Sequence, residues 1–145
     1  MLLLHSIRVK AHDIKLKPSE AVKEVYVTCY TATGNPCANG KYPEEGIVAY
    51  CPHLIDEYVM LMWESREGIP GEFIGLYKIW DTGNANIKKG YVVDVYRDSL
   101  ERCKIFAEAY GAKVFIEVLT EQELEQKIFN TVAEHITAKL KGVFI

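Results

Sequence analysis

A chain of 145 residues, 49% hydrophobic and 26% charged, has the make-up of one soluble globular domain with a real core. A net charge of -3 with no basic run argues against a nucleic-acid surface, and no apolar stretch is long enough to insert into a membrane. The opening MLLLHSIRVK has three leucines before His5 and Arg8, short of the basic start and about 7 to 15 apolar residues of a secretory signal. Localisation is therefore unknown from the sequence: the chain stays inside, leaves by another route, or has had a leader trimmed.

In chain order, LLLHSIRVKAHDIKL alternates loosely and predicts one or two strands. PSEAVKEV predicts a short helical turn or an edge segment, with Pro18 at its start. EVYVTCYTAT, rich in Val, Tyr and Thr, predicts a strand. GNPCANGKYPEEG is a long loop punctuated by Gly34, Pro36, Gly40 and Pro43. IVAYC and YVMLMWE predict strands, SREGIPGE a turn, and FIGLYKIW a strand whose Gly75 marks a bulge or a close backbone approach. Trp63 and Trp80 read as core. NANIKKG predicts a loop and YVVDVY a strand.

From Asp98 to Tyr110 the period changes. Leu100, Cys103, Phe106, Ala107 and Tyr110 share one helical face, with Asp98 or Ser99 as the cap and Gly111 as the stop. KVFIEVL returns to strand. TEQELEQKIFNTVAEHITAKLKG is the clearest helix. Thr120 and Glu123 form a capping box, Leu124, Ile128, Val132, Ile136 and Leu140 make one stripe, and Gly142 ends it. That stripe must be covered, by the rest of the domain or by a second copy in a homo-oligomer. Many short strands around one embedded helix predict a small closed or partly closed β-barrel, mainly β with helices (α+β).

Cys29, Cys37, Cys51 and Cys103 match no zinc spacing, and His5, His12, His53 and His135 form no ligand cluster, so no metal or cofactor is expected. One disulfide among Cys29, Cys37 and Cys51 stands against the alternative of buried free thiols.

The acids Asp81, Asp94 and Asp98 carry the functional question, because Asp81 and Asp94 each follow an apolar run. A carboxylate on a strand is costly unless solvated, paired or used. For Asp81 the plainest reading is a strand end, with the carboxylate of Asp-Thr-Gly accepting backbone N–H bonds in a turn. Asp81-Thr82-Gly83 also resembles the active-site loop of retroviral-type aspartic proteases, in which two such loops share one proton across a dimer. The apolar-apolar-Gly stretch that supports such loops has only KKG and LKG as counterparts.

A broader pattern uses Asp81 and Asp94 together. DTGNANIKKGYVVDVYRDSLERCKIFAEAYGAKVFIEVL resembles the 3D (three-aspartate) domain family, a double-psi β-barrel related to the catalytic barrel of membrane-bound lytic transglycosylase A. Asp81, Gly83, Ala85, Ile87, Lys88 or Lys89, and Gly90 fit its first motif; Asp94 and Tyr96 fit its second. Upstream, YVTCYTAT, CANG and GIVAYCPHLI resemble its opening strand, its loop and its Val-Ala-Val-Asp-Pro segment. The departures are a loop two residues longer between the acids, Asn84 for the second glycine, and Cys51 where the family has its first aspartate.

The resemblance implies a six-stranded double-psi barrel over residues 25–119; outside it the periodicity predicts the C-terminal helix over 120–142, and the length makes 1–145 a single domain. It also implies a lytic transglycosylase acting on the MurNAc-GlcNAc bond of peptidoglycan glycan strands. Asp94 would be the general acid and base, with Asp81 its catalytic neighbour; Thr28, Tyr30, Thr31, Gly83, Lys88 and Tyr96 would bind substrate. The absence of a leader would suit a phage or prophage lysis protein as well as a trimmed chain. Cys51 and the longer acid loop point to the alternative, a glycan-binding or structural barrel without turnover; the aspartic protease is the third reading.

Overall fold

The computed structural model describes residues 15–144, so of the strands expected over residues 2–16 the first thirteen residues, with His5 and His12, lie outside the described residues, and Lys15 and Leu16 are not in a strand. The strands are β1 Lys23–Tyr30, β2 Ile47–Ala49, β3 Tyr58–Arg66, β4 Ile69–Asp81, β5 Val92–Tyr96 and β6 Lys113–Thr120. The helices are α1 Ala85–Lys88, α2 Leu100–Tyr110 and α3 Glu121–Phe144, and a short 3-10 turn covers Pro52–Leu54.

The strands close into a barrel in the order β1-β5-β2-β4-β3-β6, the mixed α+β barrel expected. β1 pairs parallel with β5, and β2 with β4; the other pairs are antiparallel. Strand side chains alternate, so one face of each strand fills the barrel. Val25, Val27, Val48, Met60, Met62, Ile79, Val93, Val95, Val114 and Ile116 share that interior. The opposite faces of β3 and β6 supply Leu61, Trp63 and Phe115 to a second cluster, closed by Leu16 and by Leu124 and Ile128 of α3. Trp63 and Trp80 are both buried, as expected.

β4 begins earlier than the sequence suggests. SREGIPGE contains only a two-residue turn, and Arg66 pairs with Ile69 across it. Glu67 and Gly68 both have positive φ, 55° and 79°. That is the conformation whose twist suits a tight hairpin; the missing signal is the usual Asn-Gly or Asp-Gly pair. The irregularity expected near Gly75 is present: Met62 pairs with Gly75 but Trp63 with Phe73, leaving Ile74 as the extra residue.

The helices follow their caps. Thr120 Oγ1 accepts from Glu123 N at 3.1 Å and Glu123 Oε1 from Thr120 N at 2.9 Å, the reciprocal capping box. Ser99, not Asp98, caps α2, accepting from Arg102 N at 3.2 Å. Asp98 instead pairs with Arg102. Of the α2 face, Cys103 and Phe106 are buried, while Leu100 and Ala107 are exposed. NANIKKG, expected as a loop, contains the single turn of α1, capped by Asn84 Oδ1 accepting from Ile87 N. Gly142 does not end α3, which runs on to Phe144; one glycine on an exposed helix costs only about 1 kcal/mol. Along α3, Leu124 and Ile128 are buried and Val132 packs against the same cluster, but Ile136 and Leu140 are each 52% exposed. Among the described residues no helix is long and apolar enough to cross a membrane.

One buried ion pair joins α3 to the barrel. Glu117 of β6, 3% exposed, accepts from Lys127 Nζ at 3.0 Å on both oxygens and from Ser19 N at 2.8 Å.

Candidate functional site

Two registers bring the acids into one row across the barrel wall. Thr28 of β1 pairs with Asp94 of β5. Asp94 pairs with Ala49 of β2, and Ala49 pairs with Asp81 of β4. Paired residues on neighbouring strands share a face. Val93 and Val95 point into the barrel, so Asp94 points outward, and the row Thr28, Asp94, Ala49, Asp81 lies on the outer surface. One strand separates the two acids, which sets their backbones about 9.5 Å apart at two strand spacings.

A bulge places Asp81 in that row. Val48 pairs with Ile79 but Ala49 with Asp81, so Trp80 is the extra residue. Without it, Asp81 would fall on the other face. Trp80 itself is buried with Cys37, Ile47 and Tyr96, beneath the loop of residues 31–46.

The two carboxylates are held differently. Asp81 is tied by three donors: Oδ1 accepts from Ala38 N at 3.0 Å and Thr82 N at 2.9 Å, and Oδ2 from Tyr30 Oη at 3.3 Å. The turn role expected of Asp81 is thus real, and it coexists with a place beside the second acid. Asp94 Oδ1 accepts one bond, from Thr28 Oγ1 at 2.8 Å. Among the described residues neither acid has an ion-pair partner. Partial burial pushes the Asp94 carboxyl above its ordinary range; the Thr28 hydroxyl opposes this, and the Asp81 charge adds to it. Burial and the Asp81 charge keep the Tyr30 phenol protonated, and the same two causes, in that order, push the Cys37 thiol up to about 11.

The other expected site residues scatter around this row. Thr28 is exposed beside Asp94, and Tyr30 is half-buried. Tyr96 pairs with Tyr30 and is buried against it, edge to face, with ring centroids 5.5 Å apart. Thr31 is half-buried at the end of β1. Gly83 and Lys88 lie on the turn from Asp81 to β5; Lys88 is exposed, and a side chain at Gly83 would meet Ile87 Cδ1 at 2.7 Å. Sequence reasoning did not anticipate Ala38 N as a donor to Asp81, nor Cys37 beside it. Both lie in the CANG loop, whose composition marks a turn but not what it touches. Ala49 is the other addition: a small buried residue between the two acids.

Cys51 stands apart from this row. It is buried next to Gly90, whose φ of +83° favours glycine and whose surroundings are tight; a Cβ there would lie 3.0 Å from Tyr50 Oη and 3.1 Å from Cys51 Sγ. Tyr50 Oη donates to Gly90 O at 3.0 Å, pinning the turn that starts β5. Gly90→Ala is therefore expected to cost about 1–3 kcal/mol, measured as a lower midpoint in urea denaturation.

The larger cavities lie elsewhere. One of about 1070 Å³ runs between residues 15–19, β6 and α3, and is lined by the Glu117–Lys127 pair. Its one buried acid, Glu117, is already paired with Lys127. Among the described residues no group of three or more His, Cys, Asp or Glu is placed to hold a metal.

No protein family matches the chain, and no curated protein does. Among solved structures the chain is similar to the E. coli lytic transglycosylase MltA, at 18% identity and a TM-score of 0.41, over 58% of this chain. The matched part spans 27% of that protein's chain.

Proposed function

We propose that this barrel acts on peptidoglycan glycan strands as a lytic transglycosylase, with Asp94 as general acid and base and Asp81 as its fixed neighbour. The observation that carries the reading is the acid row itself: two carboxylates on one face of the barrel wall, one firmly tied, the other with a single hydrogen bond and a raised pKa. A general acid must hold its proton near working pH and be free to deliver it. The upward shift of the Asp94 carboxyl and its single hydrogen bond favour both; Asp81, gripped by three donors, is suited to orienting sugar hydroxyls, and its charge adds to the shift that burial starts.

Protonated Asp94 gives its proton to the glycosidic oxygen as the bond from C1 breaks. The resulting carboxylate then takes the proton of the C6 hydroxyl, whose oxygen closes on C1. The product is a 1,6-anhydro sugar, no water is consumed, and the acid is regenerated. Thr28 lines this step, while Thr31 and Lys88 are proposed to meet the strand further along. Tyr30 would serve mainly by holding Asp81, and Tyr96 by supporting Tyr30. Digestion of purified peptidoglycan, followed by mass spectrometry, tests the reading: anhydro-muropeptides are expected from the wild type and not from Asp94→Asn. Hydrolysed reducing ends in their place would replace this mechanism with water attack.

A second reading, glycan binding without turnover, is favoured by Cys51. Where the resembled family has an acid, this chain has a buried thiol against a backbone turn. Binding of glycan strands with no product would support it. The aspartic-protease reading fits less well, because the acid that shares Asp81's row is Asp94 of the same chain.

Thr28 offers a finer test. Its hydroxyl stabilises the ionised form of Asp94, so Thr28→Val raises the Asp94 pKa further. Since the acid works protonated, activity falls as pH rises through that pKa. The alkaline limb of the pH–rate profile is expected to move to higher pH in Thr28→Val, with product type unchanged.

A further inference from the structure

We infer that Cys29 and Cys103 are a disulfide-forming pair that staples α2 to β1. Their sulfurs lie 2.7 Å apart although the residues are 74 positions apart in sequence. Barrel closure brings them together: β1 carries Cys29 past β5, and α2, which follows β5, packs on β1 and turns the buried Cys103 toward it. The other two cysteines belong to separate surroundings. Cys37 is buried with Ile47, Trp80 and Tyr96, and Cys51 sits beside Gly90. Two thiols this close, on two rigid elements, need little backbone movement to bond.

The oxidant is a small disulfide such as oxidised glutathione, or a thiol–disulfide oxidoreductase. Cys29, the more exposed of the two, attacks one sulfur of the oxidant as thiolate and releases one reduced thiol. Cys103 then attacks Cys29 Sγ in the mixed disulfide and releases the second. Two S–H bonds are lost and one S–S bond forms; the two electrons leave on the oxidant, which ends as two thiols. Burial raises the Cys29 thiol pKa, so exchange is slow at neutral pH and faster in mild alkali.

The link closes a long loop and fixes β1 next to Thr28, the residue that holds Asp94. It rests on the thiol geometry alone and stands or falls independently of the glycan reading.

The test uses the full chain, reduced and then incubated with oxidised glutathione at mildly alkaline pH. Alkylation, digestion and mass spectrometry are expected to show a linked Cys29–Cys103 peptide pair, with Cys37 and Cys51 alkylated. The melting temperature is expected to rise by roughly 10 °C, reversibly on reduction. Cys103→Ser should give no internal link and no rise, and should leave glutathione on Cys29. Overturning results are a persistent glutathione adduct on wild-type Cys29, links through Cys37 or Cys51, or both thiols still open to alkylation after oxidation.

Discussion

Asp94→Asn is expected to lower glycan cleavage by about 10²–10⁴-fold, the usual worth of a positioned general acid and base, while making the fold more stable at neutral pH. The two effects have one cause. The Asp94 carboxyl titrates above its ordinary value of 3.8 in the folded protein, because partial burial disfavours the charge and the Asp81 charge adds to that. Below 3.8 both folded and unfolded chains carry the proton, and the group costs nothing. As pH rises through the folded pKa, ionisation is paid for only in the folded state, so stability falls and stays lowered above it.

Asparagine never ionises, and its side-chain oxygen can still accept the Thr28 hydroxyl. Its stability advantage should therefore be near zero in acid and grow towards neutral pH. Parallel urea titrations at acid and neutral pH measure this, with rates on purified peptidoglycan. Full activity in the variant would end the acid–base assignment; an unchanged stability difference across pH would end the account of its raised pKa.

Lys127→Ala is expected to cost about 3–5 kcal/mol, the penalty for leaving a buried carboxylate without its cation. Glu117 is almost wholly buried, and Lys127 supplies its only ion-pair contacts among the described residues. The lysine also lies over the Trp63 ring, 5.6 Å from its centroid, so truncation removes packing too. Replacing both partners, Lys127→Met with Glu117→Leu, should recover most of the loss, since an apolar pair needs no neutralisation. The recovery stays incomplete because Ser19 N loses its acceptor. Chemical denaturation of the three variants, compared by midpoint at constant slope, decides the matter.

The parts that were legible in the sequence are those written in short stretches. Thr120 and Glu123 mark the start of α3 by their spacing, and the Leu124–Ile128 stripe marks its buried face. β1 and β5 are legible from their Val, Tyr and Thr content, and Asp81 and Asp94 stand out as charges where strands want apolar groups. What was not legible depends on contacts made across the barrel. The Trp80 bulge, which turns Asp81 outward, has no local signature, because tryptophan is equally at home in a regular strand. The Glu67–Gly68 hairpin lacks the commonest turn pair. Cysteine spacing left open one link among Cys29, Cys37 and Cys51 or buried free thiols, and it did not show that the thiol beside Cys29 is Cys103, which the parallel pairing of β1 and β5 brings near. The resemblance supplied the order of the acid motifs but not the row in which Ala49 spaces them.

β2, three residues long, lies between the strands that carry the acids. The gap between the backbones of the two acids is thus a property of main-chain pairing, a fixed gauge. The loop of residues 31–46 instead sets how the carboxylate at one end of that gauge is turned, through Ala38 N, and is itself anchored by the buried Cys37.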